Sequence, residues 1–121
     1  MVCVRDQVYS GLVSALAGKC EVYHAYPANN AALPAVSFYQ AANSEYASTA
    51  DGEYLTEIAF VFDVFAGSVK ETDEIGAIVN VVMAGFGFAR AFSYDVPDSN
   101  VRHLTMRYRG IIDPRYFVAK N

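Results

Sequence analysis

Reactive residue types are scarce in this 121-residue chain, which has two histidines, two cysteines and only 18% charged residues. His24 and His103 stand on separate stretches, and neither has a Cys, His or carboxylate at metal-ligand spacing. A lone histidine on a strand is ordinarily a packing or surface residue. Gly-x-Ser-x-Gly is absent, which removes the nucleophile elbow of the serine hydrolases. Gly85-Phe86-Gly87 follows a helical stretch instead of opening one, and it lacks the further glycine and lysine of a phosphate loop. It reads as a helix terminator. Cys3 and Cys20 form no CxxC pair, so two reduced, partly buried thiols are expected in preference to a disulfide or a metal site. No enzyme, cofactor or metal is expected from this inventory.

Long apolar runs are missing as well. Hydrophobic residues make up 54% of the chain, yet no stretch approaches the roughly 18 consecutive apolar residues of a membrane span. The N-terminus, MVCVRDQVYSGLVSALAG, is interrupted by Arg5 and Asp6, and its spacing is helical, unlike a signal peptide. A soluble, intracellular protein with no membrane partner is expected. The length suits a single domain over 1–121 that buries roughly two-thirds of its unfolded surface.

Basic charge is scarce except at one end. Residues 1–100 carry four Lys/Arg against twelve Asp/Glu, giving −8, and residues 101–121 carry five against one, giving +4. An acidic body with a basic end can pair with neighbouring copies of itself.

The most informative stretch is Tyr54 to Ala66, YLTEIAFVFDVFA, which has no Pro or Gly and reads as one long strand. Its even positions, Tyr54, Thr56, Ile58, Phe60, Phe62 and Val64, are almost wholly apolar and must cover a core. Its odd face mixes Leu55, Val61 and Phe65 with Glu57 and Asp63. Those apolar residues suit water poorly, which points to a second copy covering part of the face. Glu57 and Asp63 lie six residues, or roughly 20 Å, apart, too far for the paired carboxylates of a glycosidase.

Around this strand, Val4, Val8, Leu12 and Leu16 make the apolar stripe of a helix over 3–17, stopped by Gly18. Glu21–Ala25 and Ala35–Ala42 read as strands, separated by a loop bounded by Pro27 and Pro34. Residues 43–53, NSEYASTADGE, read as an eleven-residue loop ending in Asp-Gly. It is either a solvated hairpin tip or a partner-binding loop in which Glu45, Tyr46, Asp51 and Glu53 meet the partner. Ser68-Val-Lys-Glu71 fits a capping box for a helix with the stripe Ile75, Ile78, Val79, Val82, Met83 and Phe86. Two strands close the chain, Phe88–Val96 and Val101–Ile112. In the first, Phe88, Arg90, Phe92 and Tyr94 alternate as one face. The second carries a basic row of His103, Arg107 and Arg109 on its odd face, suited to an acidic patch on an adjacent subunit more than to nucleic acid at a pI near 5.0. The order α-β-β-β-α-β-β makes an α+β fold, a sheet of about five strands, largely antiparallel, with two helices packed on one face.

These landmarks resemble the tail terminator proteins (also called tail completion or head-tail joining proteins) of long-tailed bacteriophages and prophages. The resemblance is carried by the N-terminal helix, VYHAYPANNAALPAVSFYQA, the EIAFVFDVFA strand, the capped helix ETDEIGAIVNVVMAGFGFAR and the closing HLTMRYRGIID. It implies a virion structural protein, present in the host cytoplasm during assembly. Such subunits form a homo-oligomeric ring, usually a hexamer, that caps the tail tube and joins it to the head connector, with DNA passing through and no sequence-specific contact. A head-closure protein, a tail tube subunit, or a small α+β enzyme or ligand-binding domain with a pocket near His24 or His103 are the alternatives. Leu55, Glu57, Val61, Asp63, Phe65, His103, Arg107 and Arg109 are the expected subunit-contact residues.

Overall fold

A computed structural model describes residues 3–24, 32–49, 52–97 and 100–113, with backbone alone for 48–49 and 52–54. Seven elements follow in the order α1 (Arg5–Ala15), β1 (Glu21–His24), β2 (Ala35–Thr49), β3 (Gly52–Ala66), α2 (Val69–Gly85), β4 (Ala89–Val96) and β5 (Arg102–Ile112). The α+β class and the element order agree with the reading of the sequence. The five strands form one sheet in the order β1-β2-β3-β5-β4. β2, β3, β5 and β4 are antiparallel neighbours, and β1 runs parallel to β2. That parallel edge pair makes the sheet a mixed one.

β3 lies at the centre of the sheet, and its even residues Thr56, Ile58, Phe60, Phe62 and Val64 are fully buried. Tyr54 of that set falls outside the described side chains. The helices share the same side: Val4, Val8, Leu12 and Leu16 of the α1 stripe and Ile75, Val79 and Met83 of α2 join one cluster with the strand residues. Aromatic rings stitch the middle of it. Phe38 of β2 stacks on Phe62 at 5.5 Å, and Phe62 meets Tyr108 of β5 edge-on at 5.5 Å. Tyr108 is 1% exposed, and its hydroxyl donates to Asn80 Oδ1 of α2 at 2.9 Å, so a polar tip is satisfied at the helix–sheet seam.

Local signals set the helix ends. Ser68 Oγ accepts the Glu71 N–H at 3.2 Å, and Glu71 reaches back to the Gly67 N–H at 3.3 Å, one residue upstream of the cap. At the other end Gly87 takes φ +93°, the Phe88 N–H reaches the Met83 carbonyl and the Gly87 N–H that of Ala84. That pairing is a Schellman stop, which needs a residue that tolerates the left-handed region. Cys3 and Cys20 are free thiols, and burial with nearby Glu21 and Glu71 pushes the Cys20 thiol up and keeps it protonated.

Two expectations need correction. Residues 43–49 are not a loop: β2 continues to Thr49, paired with β3 through Asn43↔Ile58, Ser44↔Glu57, Glu45↔Thr56 and Ala47↔Leu55. Main-chain pairing with a long central strand outweighs the weak strand propensity of Asn, Ser and Ala, and register shifts after Gln40 and around Ala47 absorb the mismatch. The result is a hairpin arm that projects past β1, which pairs only with 35–38, and past β5, which ends opposite Thr56. In β4 a bulge between Arg90 and Phe92 breaks the single face. Arg90 pairs with core-facing Tyr108, whereas Phe92 and Tyr94 pair with outward-facing Arg107 and Thr105.

Two substitutions test this packing. Phe62→Asp places an unpaired charge in the core and is expected to abolish cooperative thermal unfolding. At Gly110 an added Cβ would stand 2.9 Å from the Phe88 ring, so Gly110→Val is expected to lower stability by about 1–3 kcal/mol in urea denaturation. Wild-type midpoints for either variant would mean that the inner face is misassigned.

Candidate functional site: the outer face of the sheet

Both helices lie on the inner side, so the odd residues of β3 and their register partners face outward with no helix over them among the described residues. Three of the rows that cross this face hold its aromatic residues and its buried polar cluster. The first is Ala35–Phe65–His103–Val96, the second Tyr23–Ser37–Asp63–Thr105–Tyr94, and the third Tyr39–Val61–Arg107–Phe92. The rim is aromatic and open, with Tyr39 at 39%, Phe92 at 45% and Tyr94 at 54% exposure. Its centre is more enclosed than the sequence suggests: Val61 is 8% exposed, and Leu55 and Phe65 are half-buried. A central strand is flanked by neighbours on both sides, so exposed apolar surface collects on the outer strands instead.

Asp63, His103 and Thr105 meet at the middle of the second row. Thr105 Oγ1 donates to Asp63 Oδ1 at 2.7 Å, and His103 Nε2 lies 2.7 Å from the same oxygen. The Phe65 ring stacks on the imidazole at 4.3 Å. The cluster is well shielded, with 13% of the Asp63 side chain and 17% of the His103 side chain exposed. These three residue types invite comparison with a nucleophile triad, which needs the hydroxyl on one imidazole nitrogen and the carboxylate on the other. Here a single nitrogen faces both, at 2.7 Å from the carboxylate and 3.3 Å from Thr105 Oγ1. The hydroxyl proton goes to the carboxylate, so nothing activates the oxygen. The arrangement is a cross-strand clasp between β3 and β5.

Glu57 and Arg109 form a second clasp further along, with Arg109 Nη2 donating to Glu57 Oε2 at 2.6 Å. The guanidinium holds the Glu57 carboxyl below its usual range, and the carboxylate raises Arg109 in return. The expected basic row is therefore divided: His103 and Arg109 are paired within the chain, and Arg107 stands half-buried with no hydrogen bond or ion pair among the described residues. Glu45 and Tyr46 are exposed on the hairpin arm, Glu53 is described by its backbone alone, and Asp51 lies outside the described residues. His24 sits on the inner side of β1, stacked on Tyr9 at 4.5 Å. The sheet thus separates the two histidines, and no cleft among the described residues gathers both with an acid. Among the described residues no group of His, Cys, Asp or Glu could hold a metal ion, and no helix is long and apolar enough to cross a membrane.

Sequence reasoning placed Asp63 and His103 on outward faces but missed their contact and omitted Thr105 and Ser37. The missing information is the β3–β5 register, which puts Asp63 opposite Thr105 and Phe65 opposite His103. The Ser37 hydroxyl is buried and has no hydrogen-bond partner among the described residues.

No protein-family model matches the sequence, and no curated protein matches it either. Among solved structures, the fold is similar to that of a chain in the virion of a native gene transfer agent particle. The two share 20% identity at a TM-score of 0.62, over 88% of this chain and 91% of the other. At that identity the likeness is one of fold.

Two conservative changes separate the polar roles in the second row. Thr105→Val removes the donor to a shielded carboxylate and is expected to cost about 1–3 kcal/mol, read as a lower denaturation midpoint. Ser37→Ala removes a hydroxyl with no partner and is expected to leave the midpoint unchanged or raise it. A reversed order would refute the assignment of the clasp.

Proposed function

We propose that the chain is a structural subunit of a phage-like particle, and specifically a tail terminator: a ring-forming protein that caps the tail tube and joins it to the head connector. The observation that carries this reading is the outer sheet face, one layer of strands with an open aromatic rim and a polar centre that is bonded internally. Such a face suits burial against another protein, because exposed aromatic area on its outer strands favours association. The fold shared with a virion chain over nearly the full length of both supports the reading, as do the landmarks that resemble tail terminators. The charge split, −8 over residues 1–100 against +4 beyond, suits head-to-tail contacts, which close into rings when the rotation permits. A hexamer is the ring size the resemblance implies. DNA would pass through it without sequence-specific contact, consistent with a net charge of −4.

An enzyme reading draws on the Asp63–His103–Thr105 cluster, but the hydroxyl there is bound to the carboxylate and the imidazole ring is covered by Phe65. That geometry favours the structural role. The neighbouring roles in a particle, head closure and tube subunit, are separated by the phenotype of particles assembled without this chain. Loss of a terminator is expected to leave tubes of uncontrolled length that fail to join heads, seen by electron microscopy of negatively stained lysates. Tubes of normal length left unjoined would reassign the chain to head closure, and an absence of tubes would make it a tube subunit.

A further inference from the structure

We propose that the outer sheet face of one copy receives helix α2 of a second copy, with Arg107 of the first ion-paired to Asp73 of the second. The inference rests on the subunit reading above and names the contact within it. Arg107 sits between Val61 and Phe92 in the third row, half-buried and without a partner among the described residues. A guanidinium stays charged at any physiological pH, and further covering of this face by apolar surface alone would strand it. The covering element must therefore bring an anion.

Helix α2 offers one in the right setting. Its inner stripe is spent on the core, yet Val69, Asp73, Ala77 and Val81 follow at intervals of four along its exposed side. Val69 is 54% and Val81 71% exposed, so the ends of this stripe stand open to solvent. Asp73 has no hydrogen bond or ion pair among the described residues, whereas its neighbours Lys70 and Glu74 pair with each other at 4.0 Å. An apolar stripe with one unpaired carboxylate thus matches an aromatic face with one unpaired guanidinium. Docking them supplies the outer side of the sheet with a helical layer, which no described element provides. The two surfaces lie on opposite sides of the same domain, because α2 covers the inner face of its own sheet. The contact is therefore heterologous and propagates head to tail, as a closed ring requires.

Charge reversal tests the pairing. Arg107→Glu and Asp73→Arg are each expected to weaken self-association of the full chain by about tenfold or more in sedimentation equilibrium. The double reversal is expected to return to within about threefold of wild type, since only paired residues compensate each other. As a check independent of folding energy, Asp73→Cys and Arg107→Cys chains in a Cys3→Ser background are expected to cross-link under mild oxidation when mixed, and not when either is alone. Single reversals without effect, a double variant no better than the singles, or equal cross-linking of one variant with itself would overturn the inference. So would a wild-type chain that stays monomeric, or an Arg107→Glu variant that loses only retention on duplex DNA. Tail length in particles lacking the chain is a separate readout, so the terminator reading can stand while this contact falls.

Discussion

Burial of the even face of β3 is the constraint from which the rest of the molecule follows. Four large residues, Ile58, Phe60, Phe62 and Val64, stand fully buried on one side of a central strand, and at about 1.5–3 kcal/mol each they outweigh any local preference nearby. Both helices must therefore lie on that side. The crossover from β3 through α2 to β4, with β5 inserted between, brings the chain back along the same surface. Once both helices are committed, nothing in the described chain is left to cover the other face. The one-sided layering that stabilises the domain also leaves the outer strand face without a helix among the described residues.

The two faces solve their polar problems differently. On the inner side, Tyr108 finds Asn80 and Thr72 Oγ1 donates to the Val69 carbonyl, so these buried polar tips are occupied. On the outer side the charges are drawn into cross-strand clasps, Asp63 with His103 and Thr105, and Glu57 with Arg109. The exposed Glu57–Arg109 pair adds little to stability because water and salt screen it. The Asp63 clasp is more enclosed and fixes the β3–β5 register from the outer side, as the aromatic contacts do from the inner side. Acidification would weaken the Glu57 pair only as pH falls through a depressed carboxyl range, since a lowered folded-state pKa stabilises above that range and is lost below it.

Periodicity made the fold legible where one face had to be apolar. The α1 and α2 stripes, the cap at Ser68, the stop at Gly87 and the even face of β3 were all readable, because each depends on residues close in sequence. The arm at 43–49 was not, since its strand character comes from its partner β3 rather than from its own Asn, Ser and Ala. The bulge after Arg90 was equally hidden: strict alternation puts Arg90 and Phe92 together, and only the pairing register separates them. The site suffered most. Asp63 and His103 were recognised as outward-facing, but their meeting is a contact forty residues apart in sequence, and periodicity carries no information on register between strands. Val61 was judged too exposed for the converse reason, because the central position of β3 depends on the order of all five strands.

The unequal satisfaction of the outer face gives it a direction. Had all three basic residues been free, the face would attract any acidic surface and would hold no particular orientation. With His103 and Arg109 paired internally, one cation remains, set off-centre among Tyr39, Val61 and Phe92. Aromatic area can contribute affinity in many poses, but a single partly desolvated charge is satisfied in few of them. In the proposed ring, where one contact would repeat around a closed circle, that restriction would count for more than additional affinity, because a small angular error at each interface turns a ring into an open helix. On the proposed contact, the internal clasps would serve assembly as well as folding: by occupying the other charges, they leave Arg107 to set the angle.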